Sequence, residues 1–444
     1  MSTAQPLRFL NQPRRMRLYN LNNFEEIPEI AQFSPEDRFA MRVVAQVLPF
    51  KVNDYVVNEL IDWSNIPDDP IFRLTFPQRG MLRPAHFDRV AHLLKTDAPR
   101  AELKAEIQRI RMELNPHPAG QQSLNVPRLD GMPVEGVQHK YRETMLLFPR
   151  EAQTCHTYCT YCFRWAQFVG DKSLKFETKT LDRIIRYVES HPELTDVLVT
   201  GGDPMIMRTA TLEKYLEAFL DERCAHIKNI RIGTKALSWW PHRFVSDPDS
   251  EGLLRVLGRI VDSGKHVAIM AHLNHSVELS TPTVREAIAG LRDVGCEIRT
   301  QAPLTRFVND SARVWADLIR TEVNLGLIPY YMFVSRDTGA QHYFSVPLAR
   351  ALGIYRKAIR QVSGLARTMR GPSMSAKHGK IEVLDITELN NERVFALRML
   401  QARNPVHVGR IFYAKYDADA TWIDDLRPAF GAKVFPFEEE SLPV

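Results

Sequence analysis

The chain has 444 residues, of which 44% are hydrophobic and 25% are charged, so it is expected to be globular with a large core rather than disordered. No run of about 18 apolar residues predicts a membrane span, and the first residues lack the apolar stretch of a signal peptide, which predicts a cytoplasmic protein. The net charge of +5 does not by itself indicate nucleic-acid binding. Five cysteines in a reducing compartment are expected to be ligands or free thiols.

Residues 1–125 carry the hydrophobic period of helices, most clearly at 35–48 and 95–114, and predict a helical N-terminal region. The segment 116–136, with its prolines and glycines, is interpreted as a linker or surface loop. The basic segment 8–17 could contact a polyanion, although a solvated arm is the favoured interpretation.

From residue 144 onward, short apolar runs alternate with amphipathic helical segments. The predicted strands are 144–148, 196–200, 229–233, 266–271, 296–300 and 328–334. The predicted helices are 179–191, 211–222, 252–263, 282–294, 311–325 and 346–362. This alternation predicts right-handed βαβ units around a parallel sheet. The predicted fold is therefore α/β, a partial (βα)6 TIM-like barrel over 140–363, followed by a C-terminal region over 364–444.

Three of the cysteines, Cys155, Cys159 and Cys162, lie in one loop directly after the first predicted strand. In parallel α/β sheets the chemistry lies at the carboxyl ends of the strands, where this loop begins. Thiolates hold iron–sulfur clusters, and three cysteines without a nearby fourth favour a cluster with one open iron. A structural zinc site, completed by His156 or a distant histidine, and a chance grouping of buried cysteines are the alternatives.

Polar residues also follow three other predicted strands. Gly201, Gly202 and Asp203 follow the second strand, where glycines let backbone approach a ligand and a carboxylate could bind an ammonium group. The same residues would suit an ordinary turn. His272 follows the fourth strand and Gln301 the fifth, so these side chains together line one rim of the sheet.

The late segment 370–381 is rich in glycine, proline and serine and is predicted to be a turn-rich loop. Its two lysines, Lys377 and Lys380, could present an amine to a carbonyl cofactor or a phosphate. Most lysines in such segments are solvated and inert, so the residues alone leave both interpretations open.

Taken together, these motifs resemble the lysine 2,3-aminomutase family of the radical S-adenosylmethionine (SAM) superfamily. The three-cysteine spacing is the signature of the superfamily, and the order of the other motifs is similar to that of the family. The matching segments are 60–63, 68–70, 136–141, 159–164, 200–204, 231–234, 272–275, 307–310, 329–331 and 379–381.

The resemblance implies a [4Fe–4S] cluster whose fourth iron binds SAM, and reductive cleavage of SAM to a 5′-deoxyadenosyl radical. The residues implied to bind the cluster are Cys155, Cys159 and Cys162. The residues implied to bind SAM are Gly201, Gly202 and Asp203 at the methionyl amino end, with His272 and Gln301 as candidates for its other groups.

The resemblance also implies pyridoxal 5′-phosphate (PLP). A lysine on the late loop of the family forms a Schiff base with PLP, and Lys380 occupies that place. Lys377 is the alternative, because the run of glycines found in the family is absent here. Arg164 is implied to bind the substrate carboxylate, for which a guanidinium is well shaped. An arginine that the family carries shortly after Tyr141 is replaced by Thr144, so one expected contact to PLP is missing.

The segment expected to contact the substrate side chain departs from the family. Lysine-specific members bind the distant ammonium with two aspartates, and Asp310 matches the first. Arg336 occupies the place of the second, unless a one-residue gap brings in Asp337. An arginine would repel an ammonium and attract a carboxylate, so lysine, an acidic or a neutral amino acid could be the substrate. Cysteines that bind zinc near the C-terminus of some members are absent, and no zinc is predicted.

The expected function is an amino acid 2,3-aminomutase that moves the α-amino group of lysine or a related amino acid to the β-carbon. Expected partners are the amino acid, a reducing electron donor such as flavodoxin or ferredoxin, and further copies of the chain; neither nucleic acid nor a membrane is expected. One alternative is a radical SAM enzyme that modifies a lysine of a protein substrate. Another is a non-catalytic Fe–S or zinc-binding protein that contacts nucleic acid through the basic arm, which Asp203 and Lys380 argue against.

Overall fold

The computed structural model describes residues 16–115, 124–169, 176–178 and 180–438. Most of the basic segment 8–17 and part of the predicted linker 116–136 lie outside the described residues. Within the described ranges, no helix combines the length and the apolar character needed to cross a bilayer.

The N-terminal region is mainly helical. Its helices are α1 (Pro35–Val47), α2 (Pro70–Thr75), α3 (Pro84–Lys95) and α4 (Arg100–Leu114), and β1 (Leu18–Asn20) pairs antiparallel with β2 (Lys51–Asn53). The helices α1, α2 and α3 each begin with proline, whose missing N–H has no partner at a helix start. Ser34 and Asp69 cap α1 and α2 by accepting backbone N–H bonds, as short polar side chains do at this position.

A small hairpin, β3 (Arg128–Leu129) with β4 (Met132–Pro133), precedes the main sheet. The main sheet then begins with β5 (Val137–Tyr141), which is followed in chain order by seven strands that are parallel to one another. The first six of these are β6 (Thr144–Leu147), β7 (Asp196–Val199), β8 (Asn229–Thr234), β9 (His266–His272), β10 (Glu297–Leu304) and β11 (Ile328–Val334). β5 pairs antiparallel with β6 at the edge.

Helices connect these strands. They are α5 (Leu181–Glu189), α6 (Thr209–Glu217), α7 (Ala236–Trp239), α8 (His242–Val245), α9 (Ser250–Asp262), α10 (Pro282–Asp293), α11 (Ala312–Asn324), α12 (Gln341–Phe344) and α13 (Leu348–Ile359). The predicted mixed α/β fold and its alternation of strands and helices are confirmed. The curvature of the six strands into a partial barrel stays a prediction.

Alternating burial separates the two faces of the parallel strands. In β10, Ile298, Thr300, Ala302 and Leu304 are buried while the residues between them are partly exposed, as the two-residue period of a strand requires. Gln301 therefore lies on the less buried face, and its register partner on β9 is His272. Polar groups of neighbouring strands are thus gathered on one face.

The C-terminal region continues the same sheet. Beyond β11 come β12 (Arg370–Ser375), which is parallel to β11, and then β13 (Gly379–Leu389), β14 (Glu392–Ala402) and β15 (Ile411–Lys415), each antiparallel to the strand before it. A second cluster of buried apolar residues supports these strands; among its members are Leu348, Leu352, Phe395, Phe412 and Trp422.

The predicted turn-rich loop over 370–381 is wrong. Residues 370–375 form β12, and Lys380 is the second residue of β13. Gly371 has a φ of +146°, and a Cβ atom there would lie 2.4 Å from the carbonyl oxygen of Met332. The glycine therefore permits a close approach to β11, whereas in the sequence it resembles a turn signal.

Candidate active site

The cysteine loop leaves the sheet after β6 and is held by the N-terminal region. Lys51 of β2 donates from Nζ to the carbonyl oxygen of Cys155 and to the hydroxyl of Thr154, each at 2.9 Å. Its ammonium lies 4.6 Å from the ring centroid of Tyr158. Because a single lysine contacts three residues of the loop, the helical region and the loop are expected to move as one unit.

The three thiols have the chemistry of cluster ligands. Desolvation raises the pKa of Cys159 to about 12 and of Cys162 to about 11. Desolvation, followed by Asp203 and the other two thiols, raises the pKa of Cys155 well above its ordinary value, so the three sulfurs lie close enough to interact electrostatically. In the described ranges, no three His, Cys, Asp or Glu side chains are already arranged around one metal position. Metal binding deprotonates thiols, and in a cubic cluster each of the three thiolates would bind a different iron rather than share one metal ion.

The glycine turn after β7 packs directly on the start of the cysteine loop. Gly202 donates its N–H to the carbonyl oxygen of Ala152 at 2.8 Å. A Cβ atom at Gly202 would lie 2.3 Å from the carbonyl oxygen of Thr154, and one at Gly201 would lie 2.8 Å from that of Ala152. Both glycines are therefore required by packing, and contact between their backbone and SAM stays a prediction.

Asp203 is 2% exposed, and protein donors occupy both of its oxygens. Oδ1 accepts from the Thr234 hydroxyl at 2.7 Å and from the Met205 N–H at 2.9 Å. Oδ2 accepts from the Lys235 N–H at 2.9 Å and lies 3.3 Å from His156 Nε2. Burial alone would raise the pKa of Asp203, but the contact with His156 and the other hydrogen bonds hold it below the ordinary value. Asp203 thus ties the cysteine loop to β8, and the prediction that it binds the amino group of SAM remains untested.

His272, the last residue of β9, lies beside Gln301, which is inside β10 rather than after it because that strand continues to Leu304. Their Nε2 atoms are 3.0 Å apart. Desolvation, together with the charge of Lys235, lowers the pKa of His272 to about 4, so its ring is neutral at neutral pH. A neutral imidazole and an amide can offer donors and acceptors to an uncharged ligand group.

A buried polar network next to the cysteine loop was not anticipated from the sequence. Lys235 Nζ lies 2.6 Å from Glu278 Oε1 and 3.1 Å from Asn274 Oδ1. The Tyr161 hydroxyl, from within the loop, donates to the same Asn274 oxygen at 2.7 Å. Lys235 directly follows β8. Its position at the carboxyl end of a parallel strand could have identified it as a candidate site residue.

Lys380 presents a free amine to the less buried face of the sheet. Its Nζ lies 4.0 Å from the ring centroid of Tyr331 and 5.5 Å from that of Phe333. Desolvation, followed by the charges of Arg231 and Arg370, lowers its pKa to about 7. Among the described residues, no hydrogen-bond acceptor or carboxylate contacts this amine. An amine that is partly neutral at pH 7 suits attack on a carbonyl carbon.

Two other lysines lie close in the fold. Lys377 is exposed. Lys140 of β5, which sequence reasoning did not single out, is partly buried and donates from Nζ to the carbonyl oxygen of Ala376. Desolvation, followed by the charges of Arg403, Arg336 and Lys380, lowers the pKa of Lys140 well below its ordinary value. Its position beside Tyr141 in a matching motif was the available signal.

Arg164 and Arg336 both lie beside the ring of Phe163. Their Cζ atoms lie 5.2 and 5.4 Å from the ring centroid of Phe163. Desolvation lowers the pKa of Arg164 to about 10 and also lowers the pKa of Arg336. In the described part of the chain, the solvent-shielded Nη1 of Arg164 and Nε of Arg336 have no hydrogen-bond partner. Unpaired, shielded N–H groups cost free energy, so this region is suited to anionic ligands.

The two predicted aspartates do not form a common ammonium site. Asp310 Oδ2 accepts from the exposed Arg350 of α13 at 2.6 Å, and its Oδ1 accepts from the Phe307 N–H at 3.2 Å. Asp337 Oδ1 lies 3.9 Å from Arg336 Nε, a long ion pair rather than a hydrogen bond. Each aspartate is thus associated with a different arginine.

Comparison with known proteins agrees with this geometry. Residues 142–236, which contain the cysteine loop and the glycine turn, match a family described as a 4Fe-4S single cluster domain. With the cysteine spacing, this match places the chain among radical SAM proteins and favours a cluster over zinc. The chain is also 30% identical over 408 residues to "Putative L-lysine 2,3-aminomutase" of Aquifex aeolicus, covering 92% of this chain and 94% of the relative. The chain belongs to the lysine 2,3-aminomutase family, as its motifs predicted.

Two further relatives carry the name L-lysine 2,3-aminomutase. The Escherichia coli protein is 32% identical over 54% of this chain and 67% of its own length. The Acetoanaerobium sticklandii protein is 25% identical over 75% of this chain and 69% of its own length. Among solved structures, Streptococcus suis SuiB bound to S-adenosylmethionine is 14% identical, with a TM-score of 0.35 over 61% of this chain and 56% of that chain.

Proposed function

We propose that the protein is a radical SAM, PLP-dependent amino acid 2,3-aminomutase that moves the α-amino group of lysine or a related amino acid to the β-carbon. When bound, the cluster and SAM supply a 5′-deoxyadenosyl radical, and PLP supplies an aldehyde and a conjugated ring. The observation that carries the PLP part is the free amine of Lys380, whose pKa is lowered to about 7.

The cluster half of the proposed site is built on the parallel strands. Cys155, Cys159 and Cys162 bind the cluster on the loop after β6. Gly201 and Gly202 after β7, His272 at the end of β9 and Gln301 within β10 are available for SAM. Asp203 supports the cysteine loop through its contacts with Thr154 and His156. The six parallel strands curve as a partial barrel in this proposal, so their carboxyl ends converge on the loop. The electron comes from a reducing donor such as a flavodoxin or a ferredoxin.

The PLP half is built on the C-terminal strands and β5. Lys380 would hold PLP, and its amine, with a pKa of about 7, would be available as the neutral nucleophile for the cofactor's aldehyde. Tyr331 and Phe333 line the approach to it and keep water from the amine. Lys140 lies within electrostatic range of Lys380, and its Nζ is a hydrogen-bond donor available to the phosphate.

Arg164 connects the two halves of the proposed site. It is two residues beyond Cys162, and its shielded Nη1 has no acceptor among the described residues. A carboxylate would satisfy that N–H group with a charge-assisted hydrogen bond. Arg164 therefore orients the amino acid by its α-carboxylate next to the cluster.

Trapping of the cofactor lysine tests this proposal. Borohydride reduction of PLP-loaded protein is expected to fix PLP to Lys380, as measured by peptide mass spectrometry. Lys380→Ala is expected to lose the absorption of bound PLP. Lys377→Ala removes an exposed lysine from the adjacent turn and is expected to keep it. Labelling at Lys377 or Lys140 instead of Lys380 would show that the assignment is wrong.

A further inference from the structure

Arg336 is an arginine without an adequate partner. Its side chain is 19% exposed, and its Nε is shielded from solvent and makes no hydrogen bond to any described residue. Its only close carboxylate among the described ion pairs is Asp337, at 3.9 Å. This Nε–H group is shielded from water and has no acceptor to replace the lost hydrogen bond, so an anion that reaches it should bind favourably.

The surroundings of Arg336 add positive charge. Arg164 lies beside the same Phe163 ring, and its charge acts on Arg336 as a like charge. Tyr141 is the other titratable side chain that acts on Arg336. Asp310, the aspartate expected to oppose it, instead pairs with Arg350 on α13. Around Arg336 the described contacts thus bring together two arginines, Arg336 and Arg164, and one carboxylate, Asp337.

The α-carboxylate of the proposed substrate would bind Arg164. Arg336, whose guanidinium lies beside the same Phe163 ring, then needs a second anionic group. An ammonium in that place would face Arg336 across a region poorly screened by water, where like charges repel strongly. A second carboxylate on the same amino acid would satisfy Arg336 instead.

We propose that the substrate is a dicarboxylic α-amino acid, of the class of glutamate and aspartate, and that Arg336 binds its side-chain carboxylate. This inference rests on the proposed aminomutase function and names the substrate class of the same site. Arg336 is the specificity-determining residue.

Amino acid binding to the PLP-loaded protein provides a test that needs no turnover. The protein is titrated with L-glutamate, L-aspartate, L-glutamine and L-lysine while the absorption of bound PLP is followed. Loss of one charge-assisted hydrogen bond corresponds to about 10- to 100-fold in affinity. We therefore expect a dicarboxylic amino acid to bind about 10- to 100-fold more tightly than L-glutamine, and L-lysine to bind most weakly.

Three variants separate the explanations. Arg336→Gln is expected to keep PLP and lose the preference for a dicarboxylic acid over L-glutamine. Arg336→Asp is expected to shift the preference towards L-lysine. Arg313→Gln removes a positive charge from α11, where the side chain is 88% exposed, and is expected to keep the original preference.

Two results overturn this inference and leave the proposed function intact. One is tighter binding of L-lysine than of either dicarboxylic acid, and the other is an unchanged preference in Arg336→Gln. Loss of PLP from Arg336→Gln would assign Arg336 to the cofactor phosphate and would also overturn it. If no amino acid changes the absorption of bound PLP, both the inference and the proposed function fail.

Discussion

Lys380 and Lys377 lie three positions apart in the sequence but have different environments. Lys377 is exposed, whereas the Lys380 amine lies against the Tyr331 ring. The strand period explains the difference, because Lys380 belongs to β13 and its side chain is directed towards the face that carries the site, while Lys377 is in the turn before it. Residue type alone could not distinguish these two amines.

The pH dependence of PLP attachment should report the environment of Lys380. Its pKa is lowered from 10.5 to about 7, so the neutral, nucleophilic amine becomes the major form above pH 7. Attachment measured by absorbance is therefore expected to accelerate up to about pH 7 and then level off. Lys377→Ala should give the same profile. A rate that keeps rising towards pH 10 would contradict the lowered pKa.

The site residues that could be predicted from the sequence are those in short motifs. The cluster cysteines and Arg164 lie within ten positions of one another, so their spacing is visible without a structure. Lys140 was missed because its partner, the carbonyl of Ala376, is 236 positions away. Thr234 and Lys235, two of the donors to Asp203, were missed for the same reason. They show that Asp203 links β8 to the cysteine loop, and its binding of SAM stays a prediction.

At the scale of elements, the glycine turn after β7 determines how the cysteine loop sits. The Asp203 N–H donates to the carbonyl oxygen of Thr154 at 2.8 Å, directly before Cys155. The space between the two segments is too small for a side chain at Gly202. The position of the cysteines therefore depends on a neighbouring strand as well as on their own loop.

Gly202→Ala should separate cluster binding from folding. The added Cβ would lie 2.3 Å from a backbone oxygen, so the loop must shift, at a cost of about 1–3 kcal/mol. We expect most of the iron to be lost after anaerobic reconstitution, as measured by iron and sulfide content, while circular dichroism shows a folded protein.

Gly353→Ala is the matched control for this experiment. Gly353 lies in α13, and a Cβ there meets nothing within 4 Å. This variant is expected to keep its iron and to gain about 0.5–1 kcal/mol of stability, because alanine favours a helix over glycine. Equal iron in both variants would contradict the role given to the turn.

The strands from β6 to β11 and the helices between them could be predicted, because the hydrophobic period and the length of each segment indicate the same type of element. β12 could not be predicted this way. Its Gly371 allows close packing against Met332 of β11, a residue that is distant in sequence. β5 was also missed as a strand, because its polar residues, Gln138 to Lys140, hide the pattern of an edge strand.

At the scale of the whole molecule, one continuous sheet carries both halves of the proposed site. The cysteine loop follows β6 near one edge, and Lys380 lies on β13 towards the other. Separate groups of buried apolar residues support the two parts. The chain thus holds the two cofactor-binding regions in a fixed relation, while each depends on its own packing.

This arrangement predicts that the two cofactors can be removed independently. Cys159→Ala is expected to lose iron and the reductive cleavage of SAM but to keep the absorption of bound PLP. Lys380→Ala is expected to keep its iron and to cleave SAM under reduction, while losing bound PLP. Effects at distant sites without shared partners add, so the double variant should lack both activities and remain folded. Cys296→Ala, which changes a buried cysteine outside the loop, should keep both cofactors. If either Cys159→Ala or Lys380→Ala lost both, the cofactor regions would form one cooperative unit, because the packing of one would then depend on occupancy of the other.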